Sequence, residues 1–215
     1  MLGCSGGGWL ACALRNQFMI IEAPPQSGLA SCALRPLRRA DVAQWYGSLP
    51  IPEVIEHTSW DLRGCEDLQE RVRQYEAPDP QSALRFGILE GSRACLAGTI
   101  GCHSESRTHR GAELAYDRAP CDSGRGIATA ACAAVTGWSY AALGLQRVQA
   151  TVLETNTRSE RVLHNCGLSY EGLLRAYRLV RGVPGEFQDI RAARRRPERA
   201  GALIGLDVTR GQCYE

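Results

Sequence analysis

The stretch CDSGRGIATAACAAVTGWSYA, residues 121–141, decides the reading of this chain. Ser123, Gly124, Arg125 and Gly126 make a tight turn, and Ile127, Ala131, Val135, Trp138 and Ala142 then recur on one face of a helix. The first amides of a helix have no partners within it, and the helix dipole adds partial positive charge there. Glycines at such a start let a phosphate come close, but they also simply permit a turn. The Lys-Ser/Thr of a nucleotide-binding loop and the third glycine of a dinucleotide fingerprint are both missing. Taken alone, the segment fits a phosphate cradle or a plain helix start.

The surroundings narrow the choice. GAELAYD (111–117) alternates like a strand and runs into the turn, and QRVQATVL (146–153) alternates after Gly144 ends the helix. TRSERVLHNCG (157–167) reads as a short helix, with Thr157 and Glu160 in a capping-box pattern and Gly167 placed for a left-handed end. Upstream, SCALRPL (31–37) predicts a strand, and RADVAQWYGSL (39–49) a helix stopped by Pro50 and Pro52. A second amphipathic helix is predicted over 61–77 and a hairpin over 83–104 around Glu90-Gly91-Ser92. A last hairpin spans 168–192, with its turn at Gly182-Val183-Pro184-Gly185. Hairpins mixed with single strand–helix crossovers predict an α/β (α+β) domain with a mixed sheet.

Length and composition bound the rest. The chain has 215 residues, 44% of them hydrophobic, enough for one domain with a substantial core. Residues 1–28 read as a Gly/Pro-punctuated extension, 29–196 as the domain and 197–215 as a tail. A net charge of +2 points to neither nucleic acid nor an anionic membrane as partner. No apolar run reaches the ~18 residues of a membrane span. The ten cysteines show no CxxC and no zinc-type spacing, so no metal is expected. Several lie in apolar runs and read as free thiols of a reducing, cytoplasmic environment. Cys121 and Cys166 fall near the glycine turn, with nothing in their flanks to mark a lowered pKa.

At this point the sequence resembles a family. Residues 112–175, together with LRPLRRADVAQWY (34–46), look like the GCN5-related N-acetyltransferases (GNAT), closest to their RimJ/RimL-like branch. Four motifs in order carry the likeness: the glycine turn, Leu143-Gly144-Leu145-x-Arg147-Val148, Asn156-Thr157-x-Ser159, and Val162-Leu163-x-x-Cys166-Gly167-Leu168. The resemblance implies a GNAT fold whose mostly antiparallel sheet splays at the cofactor site. It also implies acetyl-CoA as cosubstrate, cradled by Gly124, Arg125, Gly126, Ile127, Ala128 and Thr129. Ser123 stands where the family usually has Arg or Gln. Asn156 matches the family's contact to the pantetheine arm, and also reads as a helix cap. Backbone groups of Ala115, Tyr116 and Asp117 would polarise the thioester carbonyl. Asp117 replaces a common aromatic and would make the pantetheine environment more polar.

The resemblance also bears on catalysis. Many relatives donate a proton from a tyrosine at the position of Leu163; here Ser159 is the candidate donor, with a helix first-turn serine as the alternative reading. Glu113 is the candidate base, or else an exposed strand glutamate. Trp45 and the loop residues Glu56, His57 and Trp60 would border an amine acceptor. That acceptor is a peptide or protein N terminus by analogy, or a small amine such as a polyamine, amino acid or amino sugar. A monomer or homodimer is expected. A non-catalytic acyl-CoA binder and a nucleotide-binding module are the rival readings.

Overall fold

The computed structural model describes residues 23–57, 62–76, 83–91, 95–106, 108–118 and 124–193. Trp60, Cys121, Ser123 and the expected C-terminal tail therefore lie outside the described residues. The elements follow the expected order: β1 (Cys32–Pro36), a 3-10 turn (Arg39–Asp41), α1 (Val42–Ser48), α2 (Pro52–Ile55), α3 (Cys65–Glu76), β2 (Leu84–Glu90), β3 (Cys95–Ser106), β4 (Gly111–Arg118), α4 (Ile127–Ala142), β5 (Arg147–Leu153), α5 (Thr157–Asn165), β6 (Ser169–Val180) and β7 (Val183–Ala193). The short α2 was not anticipated. Pro52, read as a breaker, instead takes the first helical position, where its missing N–H costs nothing.

The seven strands form one sheet in the order β1-β2-β3-β4-β5-β7-β6. All neighbours are antiparallel except β4 and β5, which are parallel. That parallel pair is short: Gly111, Ala112 and Glu113 face Arg147, Val148 and Gln149, and pairing then stops. β4 continues to Arg118 and β5 to Leu153, so the sheet opens between them. The expected splay is present, and its apex lies just beyond Glu113.

Alternation sorts the side chains of β4 to two faces. Ala112 and Leu114 enter the main core with Ile127, Ala131, Cys132 and Val135 of α4. Trp138 stacks edge-on against Phe86, with centroids 5.5 Å apart. Each large apolar side chain buried here contributes roughly 1.5–3 kcal/mol. A second core lies on the opposite side of the sheet, where Leu37, Val42, Trp45 and Leu49 meet Leu68 and Val72 of α3. Gly98 and Gly101 of β3 let the strands lie close. A Cβ at Gly101 would collide with the Leu84 carbonyl oxygen, and one at Gly98 with that of Asp117.

Three local expectations need revision. The cap of α5 is Asn156, whose side chain accepts from the Ser159 N–H; Thr157 is already helical. The β6–β7 turn is tighter than expected, consisting of Arg181 and Gly182, both at positive φ (53° and 79°). Two such residues suit the twist of a hairpin, so Pro184 and Gly185 fall within β7. Residues 23–28, assigned to the extension, lie on the domain: Pro25 is buried and the Ala23 carbonyl accepts from Trp138 Nε1 at 3.0 Å.

Candidate active site

α4 starts on Gly126, which has φ 72°, and no side chain caps it. Gly124 also has positive φ, 89°, and a Cβ on either glycine would point into open space. The turn before α4 is thus exposed and free of side chains at both glycines, and Ala128 and Thr129 of the first helical turn are half-buried. They open on a cleft of about 830 Å³ that also takes in Tyr116 and Asp117 of β4, Asn156 and Ser159 of α5, and Glu56 and His57 after α2. Arg158 and Arg161 line it as well and add positive charge. His57 Nδ1 is buried there without a hydrogen-bond partner. Uncapped amides, side-chain-free glycines, arginines and an orphaned donor or acceptor together suit an anionic ligand with polar groups along its length.

On the wall of the cleft, Ser159 is held from two sides. Its N–H donates to Asn156 Oδ1 at 3.0 Å, and its Oγ lies 2.7 Å from the Tyr116 hydroxyl. Glu113 sits at the apex of the splay, buried, and accepts from Thr151 Oγ1 at 2.5 Å and from Arg178 Nη2 at 3.0 Å.

Comparison with known proteins now decides the family. The family model described as acetyltransferase (GNAT) domain matches residues 32–169. The uncharacterized N-acetyltransferase YoaA of Bacillus subtilis (strain 168) is 37% identical over 155 residues, covering 70% of this chain and 86% of that protein. The chain belongs to the GNAT acetyltransferases. It is an acetyl-CoA-dependent N-acetyltransferase. Two solved structures share the fold. The ribosomal-protein-S5-alanine acetyltransferase of Vibrio fischeri has a TM-score of 0.70 at 18% identity, over 77% of this chain and 94% of its own. The spermidine N-acetyltransferase of Vibrio cholerae, in complex with CoA and spermine, has a TM-score of 0.69 at 19% identity, over 77% and 96%.

Against this GNAT frame, the expected site residues separate into groups. Tyr116, Asp117, Gly124, Gly126, Ala128, Thr129, Asn156 and Ser159 all border the cleft, as do Glu56 and His57. Ile127, expected in the phosphate cradle, is fully buried in the main core and does not line the cleft. Arg125, expected to reach toward phosphate, pairs with Glu90 at the end of β2. Ala115 contributes its carbonyl inward, accepting from Arg85 Nη1 at 2.9 Å.

Two expectations are corrected by burial. Trp45, assigned to the acceptor site, is fully buried, and its Nε1 donates to Asp117 Oδ1 at 2.9 Å. The Asp117 side chain does not make the cleft more polar. It turns into the domain and accepts from Arg85 and Thr99, each at 2.6 Å. Cys166 also departs from expectation: a hydrogen bond with Cys132 pulls its thiol below the usual value, against the opposing effect of burial.

The residues that sequence reading missed are those joined to β4 from a distance. Arg85 and Thr99 bind Asp117, while Thr151 and Arg178 bind Glu113. His103 lies directly across from Glu113 in the β3–β4 register. Burial pushes its imidazole below the ordinary histidine value; Glu113 opposes that shift and Arg85 and Arg178 add to it. The alternation of β3 and the pairing of a histidine with a strand glutamate were the signals available, but they need the register to be known.

Proposed function

We propose that this enzyme acetylates the free amine of a peptide or protein N terminus, as in the RimJ/RimL-like branch of the family. The observation carrying this reading is the continuous cleft from the uncapped start of α4, past Ser159, to Glu56 and His57. In this reading Gly124, Gly126, Ala128 and Thr129 hold the pyrophosphate of acetyl-CoA through backbone amides. Asn156 meets the pantetheine arm. The unpaired backbone of β4 beyond Glu113 stabilises the oxyanion as the amine attacks the thioester. Glu113 takes the proton of the amine, directly or through a water. Ser159 donates to the departing sulfur.

Charge favours a peptide amine over a polyamine. Besides Asp117, whose carboxylate is tied to Arg85, Thr99 and Trp45, Glu56 is the one acidic residue among the described residues that line the cleft. Glu113 itself carries Arg178. A polycation would need an excess of free carboxylates, whereas a single amine needs only one.

The test is a screen of amines for release of coenzyme A, comparing peptides with free Ser and Ala N termini against spermidine, amino acids and amino sugars. Peptides are expected to turn over fastest; a clear preference for polyamines would overturn the acceptor assignment. For the cradle, Gly126→Asp places a carboxylate against the α4 amides. Acetyl-CoA affinity is expected to fall ~100-fold or more, as with loss of a charge-assisted anion site. Unchanged affinity would sink the pyrophosphate assignment.

A further inference from the structure

Leu163 occupies the position one turn after Ser159, and it is fully buried in the main core. No hydroxyl can come from there. A phenol nevertheless reaches Ser159 from another element: Tyr116 of β4 crosses to α5, placing its hydroxyl 2.7 Å from Ser159 Oγ and 3.2 Å from the Ser159 carbonyl oxygen. Among the described residues that line the cleft, Tyr116 is the one tyrosine.

We infer that Tyr116 is a positioning residue for the leaving group, its hydroxyl donating to Ser159 Oγ so that the serine proton is free to point at the sulfur of coenzyme A. This inference rests on the acetyl-transfer reading and on Ser159 as the group that meets the sulfur. The single Tyr116 proton has two acceptors in reach, Ser159 Oγ at 2.7 Å and the Ser159 carbonyl oxygen at 3.2 Å, and the inference assigns it to the shorter contact. A hydroxyl has one proton and two acceptor sites. If Tyr116 donates to Ser159 Oγ, the serine proton cannot point back along that bond and must find another acceptor. The Ser159 N–H is already fixed by Asn156, so the residue cannot rotate away as a whole. The phenol is suited to remain the donor. Burial pushes its pKa well above the usual tyrosine value, nearby Cys132 and Cys166 add to that, and the bond to Ser159 opposes it. Tyr116 therefore stays protonated throughout the working pH range.

The chemistry balances without further reagents. The amine nitrogen forms a bond to the acetyl carbon, the C–S bond breaks, and its electron pair leaves with sulfur. The hydroxyl pair stabilises that sulfur by hydrogen bonding, in series, which strengthens each bond. Glu113 takes the proton shed by the nitrogen and passes it to solvent, and Ser159 keeps its own proton, donating a hydrogen bond to the thiolate, which is protonated from solvent after release.

The experiment uses coenzyme A itself as probe. The thiolate absorbance of the bound product is titrated with pH for the full-length wild type, Tyr116→Phe, Ser159→Ala and the double variant, each blanked against its unliganded protein. The bound thiol is expected to titrate about one pH unit higher in each single variant, a tenfold loss of thiolate stabilisation, with no further change in the double variant. In turnover, Tyr116→Phe is expected to lower kcat ~tenfold while the acetyl-CoA dissociation constant stays within about twofold, a split that a merely packing role for the ring would not produce. A wild-type titration curve in Tyr116→Phe, with Ser159→Ala shifted, would overturn the role of Tyr116 and leave Ser159 standing. A curve unmoved in both would overturn the pair. Failure of coenzyme A to bind at all would overturn the acetyl-transfer reading, and the inference with it.

Discussion

Two carboxylates of β4 point to the same face of the sheet four residues apart, and each is paired with an arginine. Asp117 meets Arg85 with side chains only 7% and 5% exposed. Glu113 meets Arg178 with the glutamate at 7% but the arginine at 34%. The first cluster is closed. Thr99 and Trp45 also donate to Asp117, and the Arg85 guanidinium lies 5.7 Å from the Trp45 ring centre. The second cluster is open, because Arg178 comes from the edge strand β6 and rests over Tyr177 rather than under a packed helix. The same pairing thus serves different ends. Beyond Glu113, β4 has lost β5 as a neighbour, and the closed cluster supplies the anchorage that the missing ladder would have given. The open cluster lies at the apex of the splay, and its arginine is a third exposed to solvent.

The contrast breaks most sharply at Asp117. Asp117→Ala leaves a buried guanidinium without its carboxylate and two buried donors without their acceptor. Removing one partner of such a pair costs about 3–5 kcal/mol. Urea denaturation should show that loss, and a change under about 1 kcal/mol, the usual size for an exposed pair, would mean that the cluster is not a buttress. Glu113→Gln should behave in the opposite way. The amide keeps an oxygen for Thr151 and Arg178, and Arg178 is a third exposed, so stability should move by no more than about 1 kcal/mol. Turnover should fall ~100-fold, the scale of losing a general base. Equal turnover in the variant would remove Glu113 from proton transfer.

The difference between the clusters also marks how far sequence reading reached. The element order and the glycine start of α4 were legible, because each rests on periodicity or on motifs local to a few residues, while the splay came only with the family resemblance. The partners of β4 were not. Asp117 meets Arg85 and Thr99 from separate strands and Trp45 from α1, and only the register that sets Thr99 beside Asp117 brings them together. Trp45 shows the cost of preferring resemblance to pattern. It shares an apolar helix face with Val42 and Leu49, which by itself placed it in the core where it lies. The β6–β7 turn failed for a different reason. Pro184 and Gly185 carry the usual composition of a turn, but the hairpin closes earlier on an arginine in a left-handed conformation, a feature that residue type hides.

The smallest expected effect reads the open cluster directly. His103 faces Glu113, Arg85 and Arg178, with its Nδ1 3.1 Å from Ser104 Oγ. Burial holds it below the ordinary value of 6.5, so it is neutral at pH 7. Its folded value lies below its unfolded one, so the unfolded chain binds the extra proton first. The stability associated with a neutral His103 is therefore complete above about pH 6.5 and is lost as pH falls through the folded value. The two members of the open pair push this titration in opposite directions. Arg178→Ala removes a repelling cation and part of the cover, so the His103 midpoint should rise. Glu113→Gln removes the attracting anion, so the midpoint should fall. Imidazole resonances followed by NMR across acid pH distinguish the two, and each shift is expected to be a fraction of a pH unit because the side chains are partly screened by solvent. The closed pair supplies the control, since Arg85 also repels a charge on His103 but is balanced by a buried carboxylate that neither variant touches. Shifts of the same sign in both variants would mean that His103 responds to general loosening of the site and not to the charges of the Glu113–Arg178 pair.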